Sequence, residues 1–328
     1  METLNKSYFS KPLRIFTWNI HGSYLYYLSK GLYEIYVPYN DKRTDRYIGR
    51  GETYPYGENV MEVPAEEVKN INFDIILYQA DENYFIDQYD LFSEEQLTLP
   101  KIYIEHDPPW GHPTDTMHPV TDKDITLVHV THFNRLMWNS SLPDVRVVTH
   151  GVDLPPVDYK GTIKKGLVVI NNLPSRGRML GYDIFKKIRE EVPLDLIGMG
   201  AEEYGIGEVL HHDLPEFMSQ YSFFFHPIRY TSLGLSLCEA MMIGMPVVSL
   251  ATTEAPLVIK NGYNGYVHND LDYLIDKMKI LLSIESVRCP ISKNARNTAK
   301  ELFDINRFVR EWEEVFESKV RVLNNQTL

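Results

Sequence analysis

Short apolar runs alternate with helical patterns along most of the chain, and most runs end at a turn that contains glycine or polar residues. In the first half this pattern predicts strands over residues 13–18, 32–37, 73–78, 102–105, 126–130 and 145–148, and helices over 24–30 and 134–139. In the second half it predicts strands over 167–170, 194–197, 223–225 and 246–250, and helices over 182–191, 214–221, 235–243, 272–282, 292–303 and 306–323. Strands that alternate with helices predict an α/β fold built on parallel sheets.

The chain is predicted to divide into two domains near a paired proline. With 328 residues it exceeds the usual size of a single hydrophobic core. Pro155 and Pro156 lie between acidic residues, and the strand–helix alternation restarts after them. We therefore predict two doubly wound α/β domains, over residues 1–155 and 156–305. The amphipathic segment 306–328 is predicted to be a helix that packs back toward the first domain.

The charge and composition restrict the class of partner. The formal net charge is -12 and the pI is about 5.4, which argues against nucleic acid as a partner. The two cysteines have neither a disulfide framework nor metal-ligand spacing. No apolar run approaches the roughly 20 residues of a membrane span, and the N-terminal segment lacks a signal-peptide core. We expect a cytoplasmic protein, either free in the cytoplasm or at the cytoplasmic face of a membrane, with at most weak peripheral association.

The segment 223–266 carries the most informative pattern. An apolar strand leads into a turn with glycine, and the helix that follows ends at Gly244 with Pro246 just beyond. In a parallel sheet this turn lies at the carboxyl edge, where ligands bind. The backbone amides of Leu233, Gly234 and Leu235 lack intrahelical partners and can bind an anion. The Glu239 carboxylate, one turn into the helix, can accept hydrogen bonds from a diol.

Two other segments carry candidate chemistry. Glu105, His106 and Asp107 end the strand 102–105, so we expect them at a crevice, although a histidine that merely caps the strand is the alternative. Arg176 and Arg178 follow the first strand of the second half. Guanidinium groups there suit pyrophosphate oxygens, although exposed surface arginines are the alternative.

Three further motifs are more simply explained as turns and caps. Gly198 and Gly200 follow a strand, but Glu203 stands where a dinucleotide fingerprint needs its third glycine. Asp-x-Asp occurs at 122–124 and 270–272, where a solvated turn and a helix cap are favoured over a metal site. We therefore expect neither a nicotinamide cofactor nor a metal.

The second half resembles the retaining GT-B glycosyltransferases of family four. The resemblance rests on the segments 231–235 (TSLGL), 239–241 (EAM), 244–248 (GMPVV), 261–266 (NGYNGY) and 150–153 (HGVD). It covers residues 125–316 well and the first 120 residues loosely. It implies a GT-B architecture, in which two Rossmann-like domains face each other across a cleft. The resemblance further implies that the first domain binds the acceptor and the second binds the nucleotide-sugar donor.

The resemblance also implies a reaction and a site. It implies retaining transfer of a sugar from a nucleoside diphosphate to a hydroxyl acceptor, in which the leaving diphosphate takes the acceptor's proton and no metal takes part. Glu239 matches the acid that binds the ribose hydroxyls. The amides of 233–235 match those that hold the diphosphate.

The remaining site residues are also carried over from the family. Gly22 matches the glycine that lets the first domain approach the phosphates, and His106 matches a histidine near the donor sugar. Arg176 or Arg178 matches the basic residues on the phosphates.

One departure from the family pattern leaves alternatives open. The first acid of the paired-glutamate pattern is Thr231 here, so the contact to the donor sugar is absent or is made by Thr231 or Ser232. A catalytically silent subunit that binds sugar nucleotides is therefore an alternative. A GT-B-type epimerase is another, with Glu105 and Asp107 as its candidate acid and base.

Overall fold

The computed structural model describes residues 11–203 and 206–326. The first ten residues, which begin the N-terminal segment expected to lack a signal-peptide core, lie outside the described part. The chain forms two compact units: Met1–Thr149 with Ile305–Leu328, and His150–Asp304. Within the described residues no helix combines the length and the apolar character needed to cross a membrane.

The first unit is built on a parallel sheet of seven strands in the order β3-β2-β1-β4-β5-β6-β7. Its strands are β1 (Arg14–Thr17), β2 (Glu34–Tyr39), β3 (Val60–Pro64), β4 (Ile75–Tyr78), β5 (Lys101–Glu105), β6 (Thr126–His129) and β7 (Val145–Val147). Its helices are α1 (Gly22–Leu28), a 3-10 helix (Ala65–Asn70), a π-helical turn (Asn83–Asp87), α2 (Gln88–Leu91), a second 3-10 helix (Gln96–Thr98), α3 (His132–Met137) and α11 (Ile305–Gln326).

The second unit is built on a parallel sheet of five strands in the order β12-β11-β10-β8-β9. Its strands are β8 (Ile163–Val169), β9 (Leu194–Ile197), β10 (Tyr221–His226), β11 (Val247–Ser249) and β12 (Gly265–Val267). Its helices are α4 (Leu173–Arg176), α5 (Tyr182–Arg189), α6 (Leu214–Ser219), α7 (Leu235–Ile243), α8 (Ala255–Val258), α9 (Leu271–Ser283) and α10 (Glu285–Leu302). The predicted class, α/β with two doubly wound parallel sheets, is confirmed.

Side chains along each strand alternate between the two faces of the sheet. In β10, Phe223 and Phe225 belong to the core cluster that contains Phe185 of α5 and Leu274 of α9. Successive side chains of a strand point to opposite faces, so Phe224 and His226 point to the other face. This alternation decides which side chains of β10 can approach the start of α7.

The structure adds elements that the apolar pattern did not predict. β3 and β12 are short edge strands, and the π-helical turn has no periodic signal of its own. α10 begins at Glu285 rather than Ser292, although Pro290 lies inside it. Proline there removes one intrahelical hydrogen bond, which explains why the sequence alone indicated a later start.

The terminal helix α11 packs within the first unit through a buried aromatic cluster. Trp312 is fully buried, and its indole N–H donates to the Tyr24 hydroxyl at 3.1 Å. Phe316 lies against the Trp312 ring at 5.2 Å between centroids, and Phe308 lies against Tyr24 at 5.6 Å. The aromatic side chains of α11 at positions 308, 312 and 316 are thereby buried within the first unit.

Trp312→Ala is expected to destabilise the first unit by about 3–5 kcal/mol, because it removes a buried ring and leaves a cavity. All four tryptophans (Trp18, Trp110, Trp138 and Trp312) belong to that unit, so tryptophan fluorescence during urea unfolding measures its stability. The exposed Glu314 on the same helix gives the matched control, since Glu314→Ala should stay within about 0.5 kcal/mol of the wild type. Equal stabilities for the two variants would show that α11 does not stabilise the unit.

Candidate functional site

The carboxyl edge of the second sheet brings three loops together. β8, β10 and β11 are neighbouring parallel strands, so the loops that follow them leave at the same edge. The Thr252 hydroxyl, in the loop after β11, donates to the Ile228 carbonyl in the loop after β10 at 2.6 Å. The Ser236 hydroxyl of α7 donates to the Val169 carbonyl of β8 at 3.2 Å. These bonds connect the three loops at one edge.

The loop before α7 is held in place by His150. Nε2 of His150 lies 2.8 Å from the Leu233 carbonyl oxygen, and since a carbonyl only accepts, Nε2 carries the proton. In a trans peptide the C=O and the following N–H point in opposite directions. The Gly234 N–H therefore points away from His150, and Gly234 is the N-cap residue directly before α7. Amides at such a helix start are suited to an anion.

Glu239 is buried in the second turn of α7. It is only 5% exposed, and its Oε1 lies 3.9 Å from Nε2 of His211. His211 lies between β9 and α6, and its neighbour His212 instead contacts Asp213. The sequence offered no signal for the approach of His211 to Glu239, because the two residues are far apart in the chain.

The arginines after β8 have different surroundings. Arg178 and Arg229 both contact the Asp183 carboxylate, and Arg229 does so with two hydrogen bonds of 2.6 and 2.9 Å. The hydrogen bonds from Arg229 are the main cause that lowers the pKa of Asp183 below its usual value. The Arg176 side chain is exposed, and its guanidinium makes no hydrogen bond or ion pair with the described residues. Arg176 is therefore the arginine whose guanidinium is available to a ligand.

Thr231 and Ser232 lie in the same loop, directly before Leu233. Both are half-buried, as are Gly234 and Leu235, whereas Leu233 is buried. The structure thus brings the predicted donor-binding residues of the second unit together at one helix start, apart from Arg176 on α4.

The other candidate residues belong to the first unit. His106 follows β5, and its ring lies 4.1 Å from that of His21 and 4.8 Å from that of Tyr24. A Cβ on Gly22 would lie 2.5 Å from an atom of the Tyr54 ring. Contact with Tyr54 is therefore a structural reason for glycine at this position, beside the predicted role in approaching phosphates.

Glu105 has both carboxylate oxygens engaged. Oε1 accepts from the Asp107 amide at 2.9 Å, and Oε2 lies 3.2 Å from Nε2 of His118. The Val120 amide donates to Nδ1 of His118, so Nε2 carries the proton and donates to Glu105. Burial raises the pKa of Glu105 above its usual value. These contacts give Glu105 a structural role in holding the loop after β5.

The Asp-x-Asp motifs cap turns in the structure. Asp270 accepts from the Asp272 amide at 3.0 Å at the start of α9, and Asp122 accepts from the Asp124 amide at 3.0 Å. Among the described residues, no three or more His, Cys, Asp or Glu side chains are grouped so as to hold a metal ion.

A family model identifies part of the second unit. Residues 198–298 match the model of glycosyl transferases group 1. No curated protein sequence matches the chain significantly.

Solved structures show the same fold at low identity. Sucrose-phosphate synthase from Thermosynechococcus elongatus has a TM-score of 0.69 and 12% identity, with 94% of this chain and 98% of that chain covered. Anabaena HepE in complex with UDP has a TM-score of 0.65 and 14% identity, with 94% and 100% covered.

A further match, S. aureus TarM, is a longer protein. It has a TM-score of 0.57 and 14% identity over 74% of this chain, and this chain spans about half of TarM, 54%. Two parallel-sheet domains, these structural matches and the family model agree. Residues 198–298 match the model of glycosyl transferases group 1, and the fold of the chain is the GT-B fold of two parallel-sheet domains that its solved neighbours share.

Proposed function

We propose that this protein is a glycosyltransferase that moves a sugar from a nucleoside diphosphate to a hydroxyl acceptor, with retention of configuration and without a metal. The observation that carries the proposal is the start of α7. There a buried carboxylate, Glu239, follows one turn after amides whose orientation His150 fixes. An acceptor in a glycan, polysaccharide or glycolipid is proposed, at the cytoplasmic face of a membrane or in the cytoplasm.

The nucleotide is proposed to bind at the second unit. Glu239 accepts hydrogen bonds from the two ribose hydroxyls, which offset the cost of burying a carboxylate. The amides of Leu233, Gly234 and Leu235 hold the diphosphate, since a helix start favours negative charge. The Arg176 guanidinium is proposed to bind the diphosphate as well. Arg178 is not assigned this role, because it is paired with Asp183. Solved neighbours in complex with UDP and with UDP-glucose support uridine diphosphate as the first nucleotide to test.

The reaction is proposed to place the negative charge on the leaving group. As the bond from the anomeric carbon to the diphosphate breaks, charge develops on the leaving oxygen, and the amides and Arg176 stabilise it. The same oxygen takes the proton of the acceptor hydroxyl, which attacks from the face that the diphosphate leaves. Thr231 and Ser232 are proposed to bind donor-sugar hydroxyls, and His106 to lie near the donor sugar.

A silent sugar-nucleotide-binding subunit is the second candidate, and Thr231 favours it. The family pattern has a carboxylate at that position, and threonine binds sugar hydroxyls more weakly than an ionised group. The epimerase alternative is less well supported, because the oxygens of Glu105 are already engaged by Asp107 and His118.

UDP at about 100 times its dissociation constant should stabilise the chain by about 2.7 kcal/mol, seen as a rise of several degrees in melting temperature with EDTA present. Glu239→Ala should abolish the shift, because it removes charge-assisted hydrogen bonds of about 1.5–3 kcal/mol each. Glu190→Ala, at an exposed glutamate, is the matched control. If UDP, GDP and ADP all leave the melting temperature of the wild type unchanged, the proposal is wrong.

Arg176→Ala should weaken UDP binding by about tenfold or more, since a charged hydrogen bond to phosphate is worth about 1.5–3 kcal/mol. Arg178→Ala should change the affinity by less than about threefold, because Arg178 is paired with Asp183. Isothermal titration calorimetry on the two variants compares them directly. A larger loss for Arg178 than for Arg176 would contradict this assignment.

An activity assay distinguishes an active glycosyltransferase from a catalytically silent subunit. With a panel of UDP, GDP and ADP sugars, the wild type should hydrolyse or transfer one donor, and NMR of the product should show the donor's anomeric configuration. His106→Ala should lower kcat by about 100-fold, the range of one polar catalytic contact, while the UDP thermal shift stays. Binding of UDP without any turnover would favour the silent subunit, and an inverted product would exclude retention.

A further inference from the structure

The conformation of Gly234 does not explain why this position is a glycine. Its φ of -69° and ψ of 137° are open to any residue. A Cβ at this position would make only ordinary contacts, 3.7 Å from the Ser236 hydroxyl oxygen and 3.9 Å from Nε2 of His226. Neither backbone strain nor a collision therefore requires glycine. The small space beside Gly234 is bordered by two polar groups.

His226, which borders this space, has one nitrogen without a partner. The residue ends β10 and is 2% exposed. The Ser249 hydroxyl donates to the Leu250 carbonyl at 2.9 Å, so its oxygen accepts from Nδ1 of His226 at 3.3 Å. Nε2 is buried and forms no hydrogen bond with any described residue. An unpaired buried polar atom is unfavourable, so a hydrogen bond from Nε2 to a bound group would be favourable.

The surroundings of the ring keep it neutral in the free protein. Burial lowers the pKa of His226 to about 4, and burial is the one cause that acts on it appreciably. Its strand neighbours at this end are uncharged, Ser249 on β11 and Val169 at the end of β8. On its side of the sheet, titratable groups include Cys238 and Glu239 on α7, and His150 beside Leu233. Arg229, three residues further along the chain, is paired with Asp183. The charged helix α9 packs on the opposite face of β10, against Phe223 and Phe225.

We propose that an oxygen of the donor diphosphate occupies the space beside Gly234, and that His226 takes up a proton on Nε2 and donates a hydrogen bond to that oxygen. This inference rests on the proposed function and adds a ligand-contacting residue to it. The proton comes from solvent when the nucleotide binds and returns when it leaves, and no covalent bond changes. The helix start supplies amides and His226 supplies the charge, so the anion is bound from two sides.

The first test fills the space. Gly234→Ala should fold normally, because the added methyl group makes no close contact in the free protein. It should weaken the binding of UDP by about tenfold or more, a change of about 1.4 kcal/mol, since the methyl group occupies the place of the oxygen. The melting temperature of the free variant is the control for folding.

The second test counts protons. Calorimetric titrations of UDP at pH 7, in two buffers with different heats of ionisation, give the number of protons taken up per bound nucleotide. The wild type should take up about one proton more than His226→Gln, whose amide donates without titrating. Protonation of UDP itself is common to both proteins and cancels. His226→Phe, which has no donor, should bind UDP about tenfold more weakly than the wild type.

The outcomes distinguish this inference from the proposed function. If Glu239→Ala loses UDP binding while Gly234→Ala and His226→Phe bind as tightly as the wild type, the donor site stands and the role of His226 is wrong. Equal proton uptake by the wild type and His226→Gln also overturns it. If the wild type binds no nucleoside diphosphate, both proposals fail. Should His226→Phe not fold, Gly234→Ala decides the question.

Discussion

Parallel pairing of β10 with β8 and β11 is the constraint on which the candidate site depends. Parallel strands need crossover connections. The loop after each strand therefore begins at the same edge of the sheet, and the connection to the next strand crosses one face of the sheet. The start of α7 lies at that edge because β10 ends there at His226. If the strands were antiparallel, the arginines after β8, the loop 227–234 and the loop after β11 would be divided between the two edges.

Buried polar groups at this edge distinguish it from the apolar sheet behind it. Glu239, His226 and His150 are each at most 5% exposed; Glu239 lies on α7, and the two histidines lie beside the loop before it. Burial of ionisable groups is costly unless they are paired. Nε2 of His150 is hydrogen-bonded to the Leu233 carbonyl, whereas Nε2 of His226 has no hydrogen-bond partner in the described part of the chain. Preorganised polar groups of this kind are what binding of an anion requires.

The sequence pattern predicted the strand–helix segments in the middle of the sheets well and the edge strands of the sheets less well. The limits of α7 and β9 agree with the structure, since Gly244 and Pro246 end the helix and the apolar residues at 194, 196 and 197 define the strand. β3 and β12 are edge strands whose pairing depends on neighbours distant in the chain, and the apolar pattern did not indicate them. The residues of the candidate site show the same difference between local and distant contacts. Glu239 and the amides of 233–235 could be proposed from a motif, because they belong to one continuous segment.

The contacts of His211, His226 and the arginines required the structure. His211 approaches Glu239 from another loop, and the pairing of Arg178 and Arg229 with Asp183 depends on how α5 begins. No spacing in the sequence encodes such approaches.

The most direct test of the account is a crystal structure of the chain with UDP, grown without divalent metal. The account predicts both ribose hydroxyls within hydrogen-bond distance of Glu239, and phosphate oxygens on the amides of Leu233–Leu235. A nucleotide bound elsewhere on the chain, or a ribose that does not contact Glu239, would contradict it.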